Sequence, residues 1–303
     1  MTHLDRRAFV QAAAAGLVAR ASAATPAPIR LGVVVWVRKG ETPDAVVGRV
    51  KELGFPTCQI GFNDLKPGDA VPLKAALAKH RIEATAMLEL GPGRMVWDFY
   101  QGPLTIGLVP RATRQARIDA MKLAADVAAE AGIPAVHTHC GFIPENPNDP
   151  VYAEAVAAVK EVATHCLKKG RLLLCETGQE SPITLLRLIQ DVGTSNMGVN
   201  LDTANLILYG KGNPVDAMDV IGKYVKGLHA KDGRFPTDPK NLGEEVPIGK
   251  GKVDFRTIIK RLKEFQFNGA MTIEREIEGA QQTKDILDSK RYLESLIAEV
   301  YGA

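Results

Sequence analysis

From residue 29 onward the apolar positions alternate between two patterns. Short β-branched and aliphatic runs over 29–37, 57–62, 82–90, 134–141, 172–176, 197–202, 225–231 and 269–274 read as strands. Stretches over 42–53, 70–80, 113–132, 150–169, 182–192, 214–222, 254–266 and 283–301 carry apolar residues at helical spacing. Strands that alternate with helices pair in parallel, because each helix carries the chain back across the sheet. Eight such units in roughly 275 residues have the size of a closed barrel. The pattern therefore predicts an α/β fold, a single (β/α)8 barrel over residues 26–303. The rival, an open sheet binding a dinucleotide, needs a GxGxxG turn after its first strand. That turn reads Arg38-Lys39-Gly40-Glu41 here.

Two connections are long: 91–112, with Trp97, Phe99 and Tyr100, and 232–253, rich in Gly and Pro. Both follow strands, so both belong to the C-terminal face, where barrel enzymes carry their sites. They are positioned either to form a lid or to pack as ordinary rim loops.

Residues 1–25 stand outside the barrel pattern. Arg6-Arg7 ahead of Phe9, small apolar residues over 10–19, and Ala21-Ser22-Ala23 read as a Tat-type export signal cleaved near 23/24, which predicts a periplasmic protein. Cleavage would remove three arginines and one aspartate and lower the formal charge from +3 to +1. With no block of Lys and Arg, this balance argues against nucleic acid as the partner. No apolar run reaches the ~18 residues that would signal a membrane span. An apolar share of 46% in 303 residues is that of a globular chain, and the expected partner is a small molecule, with homo-oligomerisation left open. The cysteines, Cys58, Cys140, Cys166 and Cys175, have no metal-binding spacing and read as buried small residues.

Acidic and histidine side chains end four consecutive strands: Glu176 after Leu-Leu-Leu-Cys, Asp202 after Gly-Val-Asn-Leu, His229 after Val-Lys-Gly-Leu, and Glu274 after Ala-Met-Thr-Ile. A single glutamate at a strand end reads as a rim ion pair. Four such groups converging on one barrel mouth read as a metal site, since buried carboxylates are costly unless paired or coordinated. Three carboxylates and one imidazole form a hard donor set suited to one divalent ion, Mn²⁺ first, with Mg²⁺ or Co²⁺ as alternatives. Residues two apart on a strand share a face. Lys231 therefore accompanies His229, Asn200 accompanies Asp202, and His137 accompanies His139. His139, Lys231, Asn205 and Glu89 are candidate substrate contacts.

These residues resemble the xylose-isomerase-like TIM barrels of the sugar phosphate isomerase/epimerase superfamily over most of 29–300. The resemblance lies in His139-Cys140-Gly141, Glu176, Asn200-Leu201-Asp202-Thr203, His229-Ala230-Lys231-Asp232, the Pro247 to Phe255 segment, and Ile273-Glu274. It implies that Glu176, Asp202, His229 and Glu274 bind one divalent metal and that Glu176 and Glu274 are catalytic, exchanging protons with the substrate. Epimerases of the family often have histidine where this chain has Asn205. The implied activity is isomerisation or epimerisation of a sugar by proton abstraction next to a carbonyl, through an enediolate. The export signal favours a non-phosphorylated sugar or keto-sugar. A lyase or dehydratase acting on a keto-sugar or 3-keto-glycoside would use the same residues. An apurinic-endonuclease-like hydrolase and a non-catalytic sugar-binding barrel are the more distant alternatives.

Overall fold

The computed structural model describes residues 29–302, so the export signal read over 1–25 lies outside the described residues. The strands are β1 (Arg30–Val37), β2 (Thr57–Phe62), β3 (Glu83–Leu88), β4 (Ala135–Thr138), β5 (Leu172–Glu176), β6 (Met197–Asp202), β7 (Val225–Ala230), β8 (Asp232–Gly233), β9 (Glu245–Val246) and β10 (Ala270–Ile273). The helices are α1 (Pro43–Glu52), α2 (Ala70–His80), α3 (Gly102–Thr105), α4 (Arg111–Ala131), α5 (Pro150–Lys168), α6 (Pro182–Val192), α7 (Asn205–Leu208), α8 (Pro214–Ile221), α9 (Phe255–Glu264) and α10 (Ala280–Tyr301). Eight parallel strands close in the order β1-β10-β7-β6-β5-β4-β3-β2, and β8 and β9 form a separate antiparallel ribbon. This is the barrel that the alternating pattern predicts.

Local chemistry sets the helix starts. Pro43, Pro150, Pro182 and Pro214 occupy first-turn positions, where the missing N–H costs nothing. Thr42, Asp149, Asn213 and Asp254 accept first-turn amides. Inner helix faces then pack on the outer faces of the strands. In α9, Phe255, Ile258, Ile259 and Leu262 are buried at helical spacing, against a core that includes Val33, Ile60, Val199 and Leu228. Among the described residues no helix is long and apolar enough to cross a membrane.

Strand β4 is shorter than its apolar run, 134–141. The segment after β4 bends because Leu108 donates its N–H to Cys140 O at 2.9 Å, clamping the 91–110 loop onto the strand end. Gly107 makes this approach possible: with φ +73, any Cβ there would lie 2.4 Å from the Cys140 carbonyl carbon. The short helices α3 and α7 and the ribbon β8–β9 have no periodic signature and occupy the connections at the mouth. The four cysteines are buried and free, with Cys140 and Cys175 sulfurs 2.8 Å apart.

Candidate metal centre at the barrel mouth

Glu176 and Asp202 end β5 and β6, His229 is the penultimate residue of β7, and Glu274 follows β10, its N–H donating to Ala230 O at 3.1 Å. The parallel register brings them to one level. The ligand atoms of all four lie within 4.8 Å of one another. His229 Nδ1 is 3.2 Å from Glu176 Oε1, 3.4 Å from Glu274 Oε2 and 3.8 Å from Asp202 Oδ2. Asp202 is oriented by its own backbone: Oδ1 accepts the N–H groups of Ala204 (2.8 Å) and Asn205 (2.6 Å). Oδ2 is left buried without a partner, facing the cluster. An orphaned carboxylate oxygen among three hard donors fits a divalent cation.

The surrounding groups orient these four. Glu176 Oε2 is 2.9 Å from His137 Nε2 and 3.0 Å from His139 Nε2, while Oε1 accepts Asn205 Nδ2 at 3.2 Å. Gln179 Nε2 donates to His139 Nδ1 (3.2 Å) and to Tyr209 Oη (3.1 Å), so His139 carries its proton on Nε2, toward Glu176. The fully buried Lys231 reaches Glu274 at 3.2 Å, Glu276 at 2.9 Å and Asn205 Oδ1 at 3.4 Å. Asn205 thus donates to a glutamate and accepts from an ammonium, which one amide can do at once.

Sequence reasoning missed Gln59, on β2. Its Oε1 lies 3.0 Å from His229 Nε2, and its Nε2 donates to Asn200 Oδ1 at 2.9 Å. A carbonyl oxygen only accepts, so His229 Nε2 carries a proton, and Nδ1 faces the carboxylates. Gly227 leaves room for this bridge, since a Cβ there would lie 2.6 Å from Asn200 Oδ1. The available signal was a glutamine within Thr57–Phe62, a strand buried at every position. Glu180 was missed too. It is 1% exposed, neither carboxylate oxygen has a partner, and burial pushes its pKa up to about 8.

Burial alone would raise Glu176, but the charges of His139, His137 and His229 hold it well below the usual carboxylate range. Burial opposes the charge on His229, yet Glu274 and Glu176 carry it well above an ordinary histidine. Burial and then the neighbouring Glu176 and Glu274 lift Asp202, against the pull of Lys231. This is a site with an excess of buried negative charge, balanced in part by Lys231 and His229.

Above the cluster lies a cleft of about 250 Å³ lined by Val34, Trp36, Trp97, His139, Glu176 and Glu274. Both tryptophans of the chain are in this lining. Trp97, from the 91–110 loop, packs edge-on against His139 with ring centres 5.1 Å apart. Of the sequence candidates, Glu176, Asp202, His229 and Glu274 come together, and His139, Lys231 and Asn205 touch them. Glu89 does not. Its carboxylate accepts the Gly91 N–H at 2.6 Å and lines an adjoining cleft with Trp36, Phe62 and Met95.

A parallel eight-stranded barrel with a carboxylate and imidazole cluster at the strand C-termini defines the structural class. Residues 47–296 match the xylose isomerase-like TIM barrel family, and the chain belongs to it. A xylose isomerase domain protein from Planctomyces limnophilus is similar at 32% identity and a TM-score of 0.83, covering 90% of this chain and 100% of that one. A D-tagatose 3-epimerase-like protein shares the fold at 19% identity and a TM-score of 0.71, covering 90% and 98%. The 3-keto-D-glucoside 4-epimerase of E. coli does so at 14% identity and 0.65, covering 88% and 99%. An uncharacterized protein of Methanocaldococcus jannaschii is 31% identical over 118 residues, spanning 38% of this chain and 37% of that protein.

Proposed function

We propose that this protein is a divalent-metal-dependent sugar isomerase or epimerase that moves a proton next to a carbonyl, acting on a non-phosphorylated sugar or keto-sugar. One observation carries the reading: Glu176 and Glu274 meet around His229 and Asp202 on the floor of a cleft walled by both tryptophans. The epimerases among the structural neighbours support it.

Glu176, Asp202, His229 and Glu274 would hold the ion, Mn²⁺ by preference. When bound it supplies Lewis-acid polarisation of the substrate carbonyl. The protein supplies the proton chemistry. Lys231 opposes the effect of burial on Glu274 and keeps it ionised, able to accept a proton from carbon. Glu176, held on one oxygen by two histidines, is the second proton carrier. Proton return to the opposite face of the same carbon gives epimerisation, and return to the neighbouring carbon gives isomerisation. The tryptophan rings and His139 exclude water and orient the sugar.

A lyase reading has one observation in its favour. The Lys231 ammonium, kept charged beside Glu274, is suited to stabilise the negative charge on a departing hydroxyl, and a dehydrated product would identify that reaction. The test of the main reading is deuterium uptake by ketoses and 3-keto-glycosides in heavy water. Glu176→Gln and Glu274→Gln should each lower turnover by about 10² to 10⁴. Wild-type turnover in both variants removes the glutamates from the mechanism. We also propose export through the Arg6-Arg7 signal; changing both to lysine should retain the precursor in the cytoplasm, and unchanged export would overturn that assignment.

A further inference from the structure

Beside the mouth the barrel wall is open. β1 pairs with β10 only from Arg30 to Val33, because β10 ends at Ile273. β1 runs on to Val37, paired there with β2 alone, so the backbone edge of Val34 to Val37 faces no strand on the β10 side. A slot of about 330 Å³ occupies this gap, between α1 and α10. It shares Val34, Trp36, Arg38, Gln282 and Ile286 with the mouth cleft, so the two form one bent groove with Trp36 at the joint.

We propose that the slot binds a second, uncharged glycosyl unit, so that the substrate is a glycoside or disaccharide whose reacting ring lies in the mouth cleft. This rests on the proposed function for the reacting ring. The slot's polar lining consists of Arg38, Glu41, Arg49, Gln282 and Thr283, beside the stretch of β1 that has no strand partner on the β10 side. These alternating donors and acceptors match the hydroxyls of a sugar. Apolar patches from Val35, Leu53 and Ile286 face its C–H surfaces. Both arginines are already neutralised, Arg38 by Glu278 at 2.9 Å and Arg49 by Glu41 at 2.8 Å, which favours a neutral polyol over a phosphate dianion. The mouth cleft alone, at about 250 Å³, is smaller than typical pockets for larger ligands, and the slot supplies the remaining room.

The experiment is isothermal titration of the metal-loaded protein with glucose, glucose 6-phosphate, cellobiose, maltose, sucrose and trehalose. At least one disaccharide should bind about ten-fold tighter than glucose. That ratio should fall to about one in Thr283→Phe and in Val35→Phe, which fill the slot from α10 and from β1, with circular dichroism confirming the fold. The proposal is overturned if no disaccharide exceeds glucose, or if the advantage survives both variants. It is also overturned if the slot-dependent gain belongs to glucose 6-phosphate. Failure of the proposed reaction would show instead as absent deuterium exchange, with the binding ratio intact.

Discussion

At the residue scale the site is governed by which oxygen or nitrogen each side chain keeps free. Asp202 commits Oδ1 to two backbone amides and leaves Oδ2 for the cluster, and Gln59 commits His229 Nε2 and leaves Nδ1. Groups that orient metal ligands from behind are commonly worth 10- to 100-fold in affinity. Gln59→Leu should therefore weaken Mn²⁺ binding by about that factor, read by titration with Mn²⁺ alone. Glu180 carries a pH prediction. Its carboxyl is at about 8 in the fold against 4.5 for a free glutamate. The folded state therefore holds a proton that the unfolded chain has lost, and this contribution is complete below pH 4.5 and disappears as pH rises through 8. Glu180→Gln removes the titration. Thermal melts should show the variant gaining on wild type between pH 5 and 8, by on the order of a few kcal/mol. The four clustered side chains were legible in the sequence because each ends an apolar run. Gln59 and Glu180 were not, because their partners arrive from other strands or, for Glu180, are missing altogether.

At the element scale the mouth depends on two tethered connections. Arg117, fully buried on α4, donates to Gly107 O at 2.8 Å, Pro92 O at 3.1 Å and Arg94 O at 3.4 Å, fixing the loop that carries Trp97. Arg117→Met leaves those carbonyls unpaired, so stability should fall by on the order of 3 kcal/mol. Iodide should then quench Trp97 more readily. Asp232 gathers the other connection, accepting the N–H groups of Gly233, Gly249, Gly251 and Val253 at 2.8 to 3.1 Å. Asp232→Ala should make 234–248 the first site of limited proteolysis, a cut absent or slower in the wild type. The eight strands and eight long helices were readable because each repeats a period over many residues. The tethers were not, because a guanidinium on carbonyls or a carboxylate on four amides leaves no periodic trace.

At the scale of the whole molecule, the four proposed ligands come from β5, β6 and β7 and from the end of β10, so the candidate metal site spans half of the barrel. An ion binding only the folded chain should raise its stability by about 2.7 kcal/mol at one hundred times its dissociation constant. Calorimetry should show that gain with Mn²⁺ in the wild type and its loss in Asp202→Ala, with the barrel still folded in both. The closed order of strands also bears on how the chain is made. β1 precedes every other strand of the barrel along the chain, and its partner β10 follows them all. Until Ala270–Ile273 has emerged, the growing sheet has two bare edges and the fourth ligand is missing. Through most of its synthesis the chain is therefore an open sheet able to pair with a neighbour. Its exposure to aggregation ends once β10 has emerged and closed on β1.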